Sequence, residues 1–266
     1  MREILTQTSG LSALKLILAA ANSSRPFLRP FCLMLLRILS RNDRVTFRYR
    51  IAGKPLRGFL RLSHLDADFQ SALELAMGDR YRLAQLPEPR LVIDGGANTG
   101  LFSLAARARW PKARIVACEP FPENVWLIAD HLKINGIFNS VETRDIALAS
   151  ATGTKTFYCR AANEGSFDPQ LPYERTLKVR TARIVDLLKD REQERVLIKL
   201  DIEGSEIEVL RDFFSHSNTQ NSIVVLELHD TKINKPLIID MATNAGFSID
   251  FYEEGHSTAH CQLTAP

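Results

Sequence analysis

The nine residues from Val92 to Gly100 read V-I-D-G-G-A-N-T-G, and this stretch decides the fold. An apolar run ends in an acid, a glycine-rich turn follows, and the pattern of Leu101–Arg109 is helical. In an open α/β sheet, a buried strand that turns into a helix in this way borders the ligand crevice at the strand's carboxyl end. We therefore expect a ligand pocket that begins at Asp94.

Outward from this stretch, strand-like and helical patterns alternate along the chain. The predicted strands are Leu91–Ile93, Ala113–Cys118, Val141–Ile146, Val196–Leu200 and Ser222–Leu228, and the predicted helices are Leu101–Arg109, Glu123–Ile134, 205–214 and 234–245. This rhythm is typical of a mostly parallel sheet covered by helices, an α/β fold. The runs Phe247–Tyr252 and Ser257–Leu263 predict a terminal antiparallel hairpin, which brings the sheet to seven strands. Short alternating runs at Lys155–Arg160 and Thr176–Thr181 stand where a plain βαβ unit would carry only a helix.

The first part of the chain is basic. Residues 1–61 hold 12 Lys and Arg but only two acids, whereas the rest holds 22 Lys and Arg against 29 acids. The pattern predicts two basic amphipathic helices in 11–41, a β-hairpin in 44–62 and a helix over 65–86. Two readings of residues 1–61 stay open: a helical cap on the main domain, or peripheral contact with a membrane surface. We predict an N-terminal extension over 1–86 and the main domain over 87–266, divided at the Pro87-Glu88-Pro89 sequence.

Composition narrows the class of protein. The hydrophobic content of 45% and the charged content of 24% are ordinary for a globular protein. Four widely spaced cysteines, with no C-x-x-C pair, disfavour a zinc site or a disulfide framework and favour the cytoplasm. The apolar runs before residue 40 are too short to span a bilayer.

Glycine spacing separates two kinds of cofactor loop. A dinucleotide fingerprint has Gly at positions one, three and six, but counting from Gly95 the third position is Ala97. An acid at the strand end suits a ligand that carries an ammonium and a sulfonium better than a pyrophosphate. The candidate cofactor loop comprises Asp94, Gly95, Gly96, Asn98 and Gly100.

The next two predicted strands also end in acids. Glu119, followed by Pro120, comes 25 residues after Asp94 and is a candidate acceptor of hydrogen bonds from both ribose hydroxyls. Asp145 is a candidate acceptor for an adenine amino group, and we expect Ile146 to lie against the ring. We expect Asp94, Glu119 and Asp145 to line one cavity.

Candidate catalytic residues follow the fourth and fifth strands. Asp201 and Glu203 lie just after Val196–Leu200, and His229 ends the fifth strand, where it is a candidate general base for an acceptor hydroxyl. No metal-ligand cluster of familiar spacing is present, and we expect no metal. Convergence of Asp201, Glu227 and His229 on a divalent cation is the weaker alternative.

At these motifs the chain resembles the FkbM family of methyltransferases. The matching stretches are Val92–Ser103 (VIDGGANTGLFS), Glu119–Asn124 (EPFPEN), Asp145–Leu148 (DIAL) and Ile198–Leu210 (IKLDIEGSEIEVL). The resemblance covers roughly residues 78–265. It implies a Rossmann-like class I methyltransferase fold, S-adenosyl-L-methionine as the cofactor, and O-methylation of a sugar, glycan intermediate or secondary metabolite. It also implies that the loop 163–166 covers the acceptor site, with Ser166 as a candidate acceptor contact.

Three other functions are weighed against this one. A methyltransferase acting on RNA or another nucleic acid would use the basic N-terminal region, but no base-methylating Asn/Asp-Pro-Pro-aromatic sequence follows the fourth strand. A nicotinamide-dependent dehydrogenase is disfavoured by the glycine spacing. A non-catalytic binding protein on the same scaffold stays open, since a fold alone does not give activity. We expect a small-molecule or glycan acceptor and no nucleic-acid partner.

Overall fold

The computed structural model describes residues 44–64, 68, 71–72, 80–160, 165–189, 194–216, 219, 221–255 and 258–265. The amphipathic helices predicted in 11–41 lie outside the described residues, as does most of the helix predicted over 65–86. The chain divides into two compact units, Met1–Arg80 and Tyr81–Pro266. The boundary proposed at residue 86 stays a prediction.

The first unit contains the predicted hairpin. Strands β1 (Arg44–Ile51) and β2 (Lys54–Arg61) pair antiparallel. The turn is Ala52-Gly53, both at positive φ, which matches the twist of a two-residue hairpin. The second strand begins at Lys54, directly after this turn.

The second unit is built on a seven-stranded sheet. Its strands are β3 (Leu91–Gly95), β4 (Arg114–Cys118), β5 (Glu142–Arg144), β10 (Val196–Leu200), β11 (Ser222–His229), β12 (Ser248–Glu254) and β13 (Thr258–Thr264). The strand order is β12-β13-β11-β10-β3-β4-β5, and β13 runs antiparallel to both of its neighbours while the other pairs are parallel. The mostly parallel sheet with a C-terminal antiparallel hairpin is confirmed.

Helices connect these strands. They are α1 (Leu101–Arg109), α2 (Pro122–Ile134), α3 (Ile184–Leu187), α4 (Glu206–Phe214) and α5 (Thr231–Asn244). Every residue of β3 and β10 is buried, as the apolar composition of a central parallel strand requires. Side chains of α4 and α5, among them Phe213 and Ile238, complete the apolar core on these strands.

A second, four-stranded sheet is inserted after β5. It contains β6 (Ile146–Leu148), β7 (Gly153–Cys159), β8 (Gly165–Ser166) and β9 (Arg175–Ala182) in the order β6-β9-β7-β8. The alternating runs noted in the sequence are β7 and β9. The single strand predicted over Val141–Ile146 is wrong: it breaks at Asp145, because the residues before it pair with β4 and those after it pair with β9.

Two further features bear on the sequence predictions. The described cysteines, Cys118, Cys159 and Cys261, are buried and form no disulfide. Among the described residues, none of the helices combines the length and apolar character that a membrane crossing needs.

Candidate active site

A cavity opens at the carboxyl ends of β3, β4 and β10, with the small sheet forming its other wall. Its lining residues are Gly96, Asn98, Glu119, Pro120, Phe121, Asn124, Ala147, Leu148, Phe157, Gly165, Phe167, Asp201, Ile202 and Glu203. Within the described part of the chain, the charged side chains in this lining are three carboxylates, with no Lys, Arg or His. The cavity therefore favours a ligand with positive charge and an apolar or aromatic portion.

The glycine-rich loop is fixed between two strands. The backbone N–H groups of Gly96 and Ala97 both donate to the Cys118 carbonyl, at 3.1 and 3.0 Å, and the Asp201 N–H donates to the Gly95 carbonyl. Gly96 has φ 69°, and a Cβ there would lie 1.9 Å from the Asp201 carbonyl oxygen. Only glycine fits at this position, because the loop passes directly against the backbone after β10.

Glu119 is a buried acceptor in the cavity wall, held by three hydrogen bonds. It is only 3% exposed, and its carboxyl accepts hydrogen bonds from the backbone N–H groups of Asn98 (2.7 Å) and Phe121 (3.0 Å) and from the Asn124 side chain (3.3 Å). Burial raises the pKa of Glu119 to about 7, although these donors oppose the shift. Oε1 accepts two of these hydrogen bonds and Oε2 accepts one, so Oε2 keeps a lone pair for a ligand hydroxyl.

Lys199 is a buried cation beneath the glycine loop. Its Nζ donates to the carbonyls of Gly96 (2.7 Å) and Gly95 (3.2 Å) and lies 3.5 Å from Asp94 and 3.7 Å from Asp201. Burial alone would lower the pKa of this ammonium, but Asp201, Asp94 and Glu119 outweigh burial and raise it. Lys199 is therefore charged and ties the loop to both strand ends.

Asp94 lies in this network. It is fully buried, accepts a hydrogen bond of 2.6 Å from the Ser103 hydroxyl and forms an ion pair with Lys199. Burial raises its pKa, and the nearby Lys199 opposes that rise. In this structure Asp94 supports the loop from below and does not line the cavity.

Aromatic side chains form the apolar wall. Phe121, which precedes α2, packs edge to face on Phe157 of β7 with their ring centroids 5.5 Å apart. Phe157 packs on Phe167 in the same way, with a centroid distance of 5.2 Å. Such rings supply a rigid apolar surface with little rotamer entropy to lose. The inserted sheet thus forms one wall of the cavity.

The acidic end of the cavity contains Asp201, Glu203 and, behind them, His229. The His229 Nδ1 lies 3.0 Å from Oε1 of the fully buried Glu206, and its Nε2 lies 3.8 Å from Glu203. Burial alone would lower the pKa of His229, but Glu206, Glu203 and Asp201 together raise it to about 9. At neutral pH the imidazole is protonated, so the lone pairs that a general base needs are offered by Asp201 and Glu203.

The structure brings together half of the predicted site residues. Gly96, Asn98, Glu119, Pro120, Asp201 and Glu203 line the cavity, whereas Asp94, Gly95, Gly100, Asp145, Ile146 and His229 do not. The expectation that three strand-end acids share one cavity is not met, because among Asp94, Glu119 and Asp145 only Glu119 lines it. The cofactor and catalytic roles of the individual residues stay predictions.

Asp145 and Ile146 are placed away from the cavity for a local reason. Asp145 is largely exposed and forms an ion pair with Arg180 of β9, and Ile146 is buried in the core of the main domain. Arg180 is the β9 residue opposite Ile146, so the strand break directs the Asp145 carboxylate toward it. The next two residues, Ala147 and Leu148, line the cavity instead.

Sequence reasoning missed several contributors. The sequence does indicate a role for Lys199, because a lysine between Ile198 and Leu200 on a fully buried strand must be paired with acids. No such indication exists for Phe157 and Phe167, because they lie on an insertion whose path the sequence does not reveal. Ser166, the candidate acceptor contact, is buried, and its hydroxyl donates to the Glu203 carbonyl at 3.0 Å.

S-adenosylmethionine fits the residues at this site. Glu119 can accept a hydrogen bond from a ribose hydroxyl, and Oδ1 of Asn98, in a residue that lines the cavity, is buried with no hydrogen-bond partner among the described residues. The three carboxylates suit a sulfonium and an ammonium. The donor set of the cavity is therefore complementary to a cationic nucleoside.

Known proteins resemble this chain. The model of the methyltransferase FkbM domain matches residues 94–249. Methyltransferase sdnD of Sordaria araneosa is 27% identical over 201 residues, which is 64% of this chain and 78% of that protein. Methyltransferase 1 of Beauveria bassiana is 24% identical over 211 residues, 66% of this chain and 79% of that protein. The crystal structure of methyltransferase FkbM from Methylobacillus flagellatus aligns with a TM-score of 0.46 and 12% identity, over 96% of this chain and 59% of that one.

The family match spans more than half of the chain and includes the end of β3 from Asp94, the glycine loop and the acids after β4 and β10. The chain belongs to the FkbM family of methyltransferases and has the Rossmann-like class I fold.

Proposed function

We propose that this methyltransferase transfers the methyl group of S-adenosylmethionine to a hydroxyl of a small-molecule or glycan acceptor. The observation that carries the proposal is the lining of the cavity: three carboxylates, an aromatic wall and no basic side chain among the described lining residues. A sulfonium donor is attracted to such a lining, whereas a phosphate-rich acceptor is repelled.

In the proposed function, one end of the cavity binds the methyl donor and the other end binds the acceptor. In this proposal Glu119, which accepts hydrogen bonds from Asn98 and Asn124, holds the ribose. When bound, S-adenosylmethionine supplies an activated methyl group, so the protein mainly has to align the acceptor oxygen with it. Asp201 and Glu203 line the acidic end of the cavity, and in this proposal they accept the proton of an acceptor hydroxyl or orient that hydroxyl.

The nature of the acceptor is supported by the apolar wall and by a relative. Phe121, Phe157 and Phe167 suit the carbon skeleton of a sugar derivative or secondary metabolite. One matched relative, 26% identical over 228 residues but over only 11% of that protein, is named the AMB antimetabolite synthetase AmbE of Pseudomonas aeruginosa. This name is compatible with a small-molecule product.

The test has two steps. Calorimetry with S-adenosylhomocysteine on the full chain is expected to show saturable binding that Glu119→Gln weakens by at least tenfold. The half-buried Glu142 pairs with Arg114 and Arg144 outside the cavity, so Glu142→Gln serves as the matched control and is expected to bind normally.

In the second step, a panel of hydroxyl-bearing acceptors and oligonucleotides is incubated with methyl-labelled donor. We expect label in a base-stable ether of a hydroxylated small molecule or glycan. Absence of S-adenosylhomocysteine binding, or label found on nucleic acid or nitrogen, would contradict the proposal.

A further inference from the structure

The acidic end of the cavity brings three candidate metal ligands together. One oxygen each of Asp201 and Glu203 and one nitrogen of His229 lie within 4.8 Å of one another. We propose that these three side chains bind a divalent cation beside the acceptor position, a site that deepens the proposed function and rests on it.

The fold creates this convergence. β10 and β11 are adjacent parallel strands, so Asp201, just after β10, and His229, the last residue of β11, lie at the same edge of the sheet. Glu203 has φ 55°, a left-handed conformation that turns the chain back toward β11. Ligand atoms of one hexacoordinate metal lie roughly 3 to 4 Å apart, given bonds of about 2.1 Å, so small side-chain movements complete the site.

Glu206 provides an independent observation. It is fully buried, and its Oε1 lies 3.0 Å from Nδ1 of His229 and accepts hydrogen bonds from the backbone N–H groups of Ile202 (3.1 Å) and Gly204 (3.2 Å). Its Oε2 is buried with no hydrogen-bond partner in the described part of the chain. A carboxylate that fixes one imidazole nitrogen and aims the other at a ligand cluster is the usual support of a metal-binding histidine.

Other charged groups face the cluster and determine its net charge. Arg160 forms an ion pair of 3.0 Å with Oε2 of Glu203, and Lys199 lies 3.7 Å from Oδ2 of Asp201. Tyr81 also donates a hydrogen bond of 3.5 Å to Oδ2 of Asp201. With Glu206 included, three carboxylates face two permanent cations and the histidine. A cation would share these oxygens with Arg160 and Lys199. It would also take the place of the proton on Nε2 of His229, because only the neutral imidazole has a lone pair for a metal.

The ligand set indicates which metal to use as a probe. Two carboxylates and one imidazole leave coordination positions for water and an acceptor hydroxyl, and they suit Mn²⁺ better than Mg²⁺, which prefers oxygen alone. Because Asp201 and Glu203 line the cavity, the open positions face it. There the cation would orient an acceptor hydroxyl and lower its pKa.

The experiment is a Mn²⁺ titration of the full chain after EDTA treatment, followed by electron paramagnetic resonance. We expect one bound ion, with affinity reduced at least tenfold in His229→Gln and in Glu203→Gln. Matched controls are His216→Gln, on the half-buried histidine beside Arg183, and Asp250→Asn, on the exposed partner of Arg82. Both controls are expected to bind Mn²⁺ like the parent.

Binding of S-adenosylhomocysteine, measured on the same samples, reports folding and separates the two proposals. If the parent binds S-adenosylhomocysteine but shows no saturable Mn²⁺ binding, or if folded His229→Gln and Glu203→Gln bind Mn²⁺ as tightly as the parent, the metal site is wrong while the proposed function stands. If S-adenosylhomocysteine does not bind to the parent, the proposed function itself fails.

Discussion

Glu119 combines deep burial with a position on the cavity wall. Its raised pKa of about 7 means that the ligand-free protein holds a proton there over much of the neutral range. A ribose hydroxyl that donates a hydrogen bond to Oε2 prefers the ionised carboxylate, so binding of the nucleoside favours release of this proton.

This linkage gives a pH prediction. S-adenosylhomocysteine should bind most tightly above pH 7, and its affinity should fall by up to about tenfold per pH unit as the pH drops below the pKa. In Glu119→Gln, binding should be weaker and almost flat between pH 5.5 and 8. Calorimetry across this range checks both statements, and an equally steep profile in the variant would assign the titration to another group.

At Gly96 the loop has room for a hydrogen atom on Cα but not for a side chain. Gly96→Ala should lower the free energy of unfolding by more than about 3 kcal/mol and abolish S-adenosylhomocysteine binding, because the new methyl group collides with the Asp201 carbonyl. Gly136, after α2, has nearly the same φ, 70°, but open space around it. Gly136→Ala should therefore cost only about 1–2 kcal/mol, the penalty of the left-handed backbone alone. Urea unfolding of the pair measures the difference, and equal losses would refute the steric explanation.

At the scale of the element, β10 is unusual because an otherwise apolar buried strand carries Lys199. Removing only this cation leaves the carboxylates of Asp94 and Asp201 uncompensated. Lys199→Met should destabilise the fold by about 3–5 kcal/mol, and adding Asp94→Asn should restore part of that loss.

Urea unfolding followed by circular dichroism tests the Lys199 prediction. Lys178→Met is the control, since that exposed lysine of β9 only donates to Thr156 and its loss should stay within about 0.5 kcal/mol. A double variant less stable than Lys199→Met would contradict the proposed charge pairing.

The elements also show what the sequence can and cannot predict. The strands β3 and β10 are predictable because short, mostly apolar runs end at acids or glycines, and helix α1 has the bounds that the sequence predicts. The split between β5 and β6 is not predictable, because Val141–Ile146 has a continuous strand pattern and the break at Asp145 depends on a partner, β9, more than 30 residues later. The displacement of Asp145 from the cavity follows from the same long-range pairing.

At the scale of the whole molecule, the second unit begins at Tyr81. The Tyr81 ring packs edge to face on Phe102 at 5.3 Å, and Arg109 donates hydrogen bonds to the carbonyls of Leu83 and Ala84. These contacts tie residues 81–86 to the main domain, although a boundary at residue 86 was inferred from the prolines that follow.

Two truncations test the starting point. Residues 81–266 should fold and bind S-adenosylhomocysteine within about threefold of the full chain, because every cavity residue lies in that range. Residues 87–266 lack the buried Tyr81, Leu83 and Leu86 and should lose several kcal/mol, at about 1.5–3 kcal/mol for each large apolar side chain. Thermal unfolding and calorimetry compare them, and equal stability would place the boundary at residue 86.

The two walls of the cavity belong to two different β-sheets, whose strands are not hydrogen-bonded to each other. Glu119 and the glycine loop extend from the seven-stranded sheet, whereas Phe157 and Gly165 belong to the four-stranded insertion. Under the proposed function, evolution can remodel the insertion to admit new products while the handling of the methyl donor is inherited unchanged. Related enzymes would then differ in their acceptors mainly through changes in this four-stranded insertion.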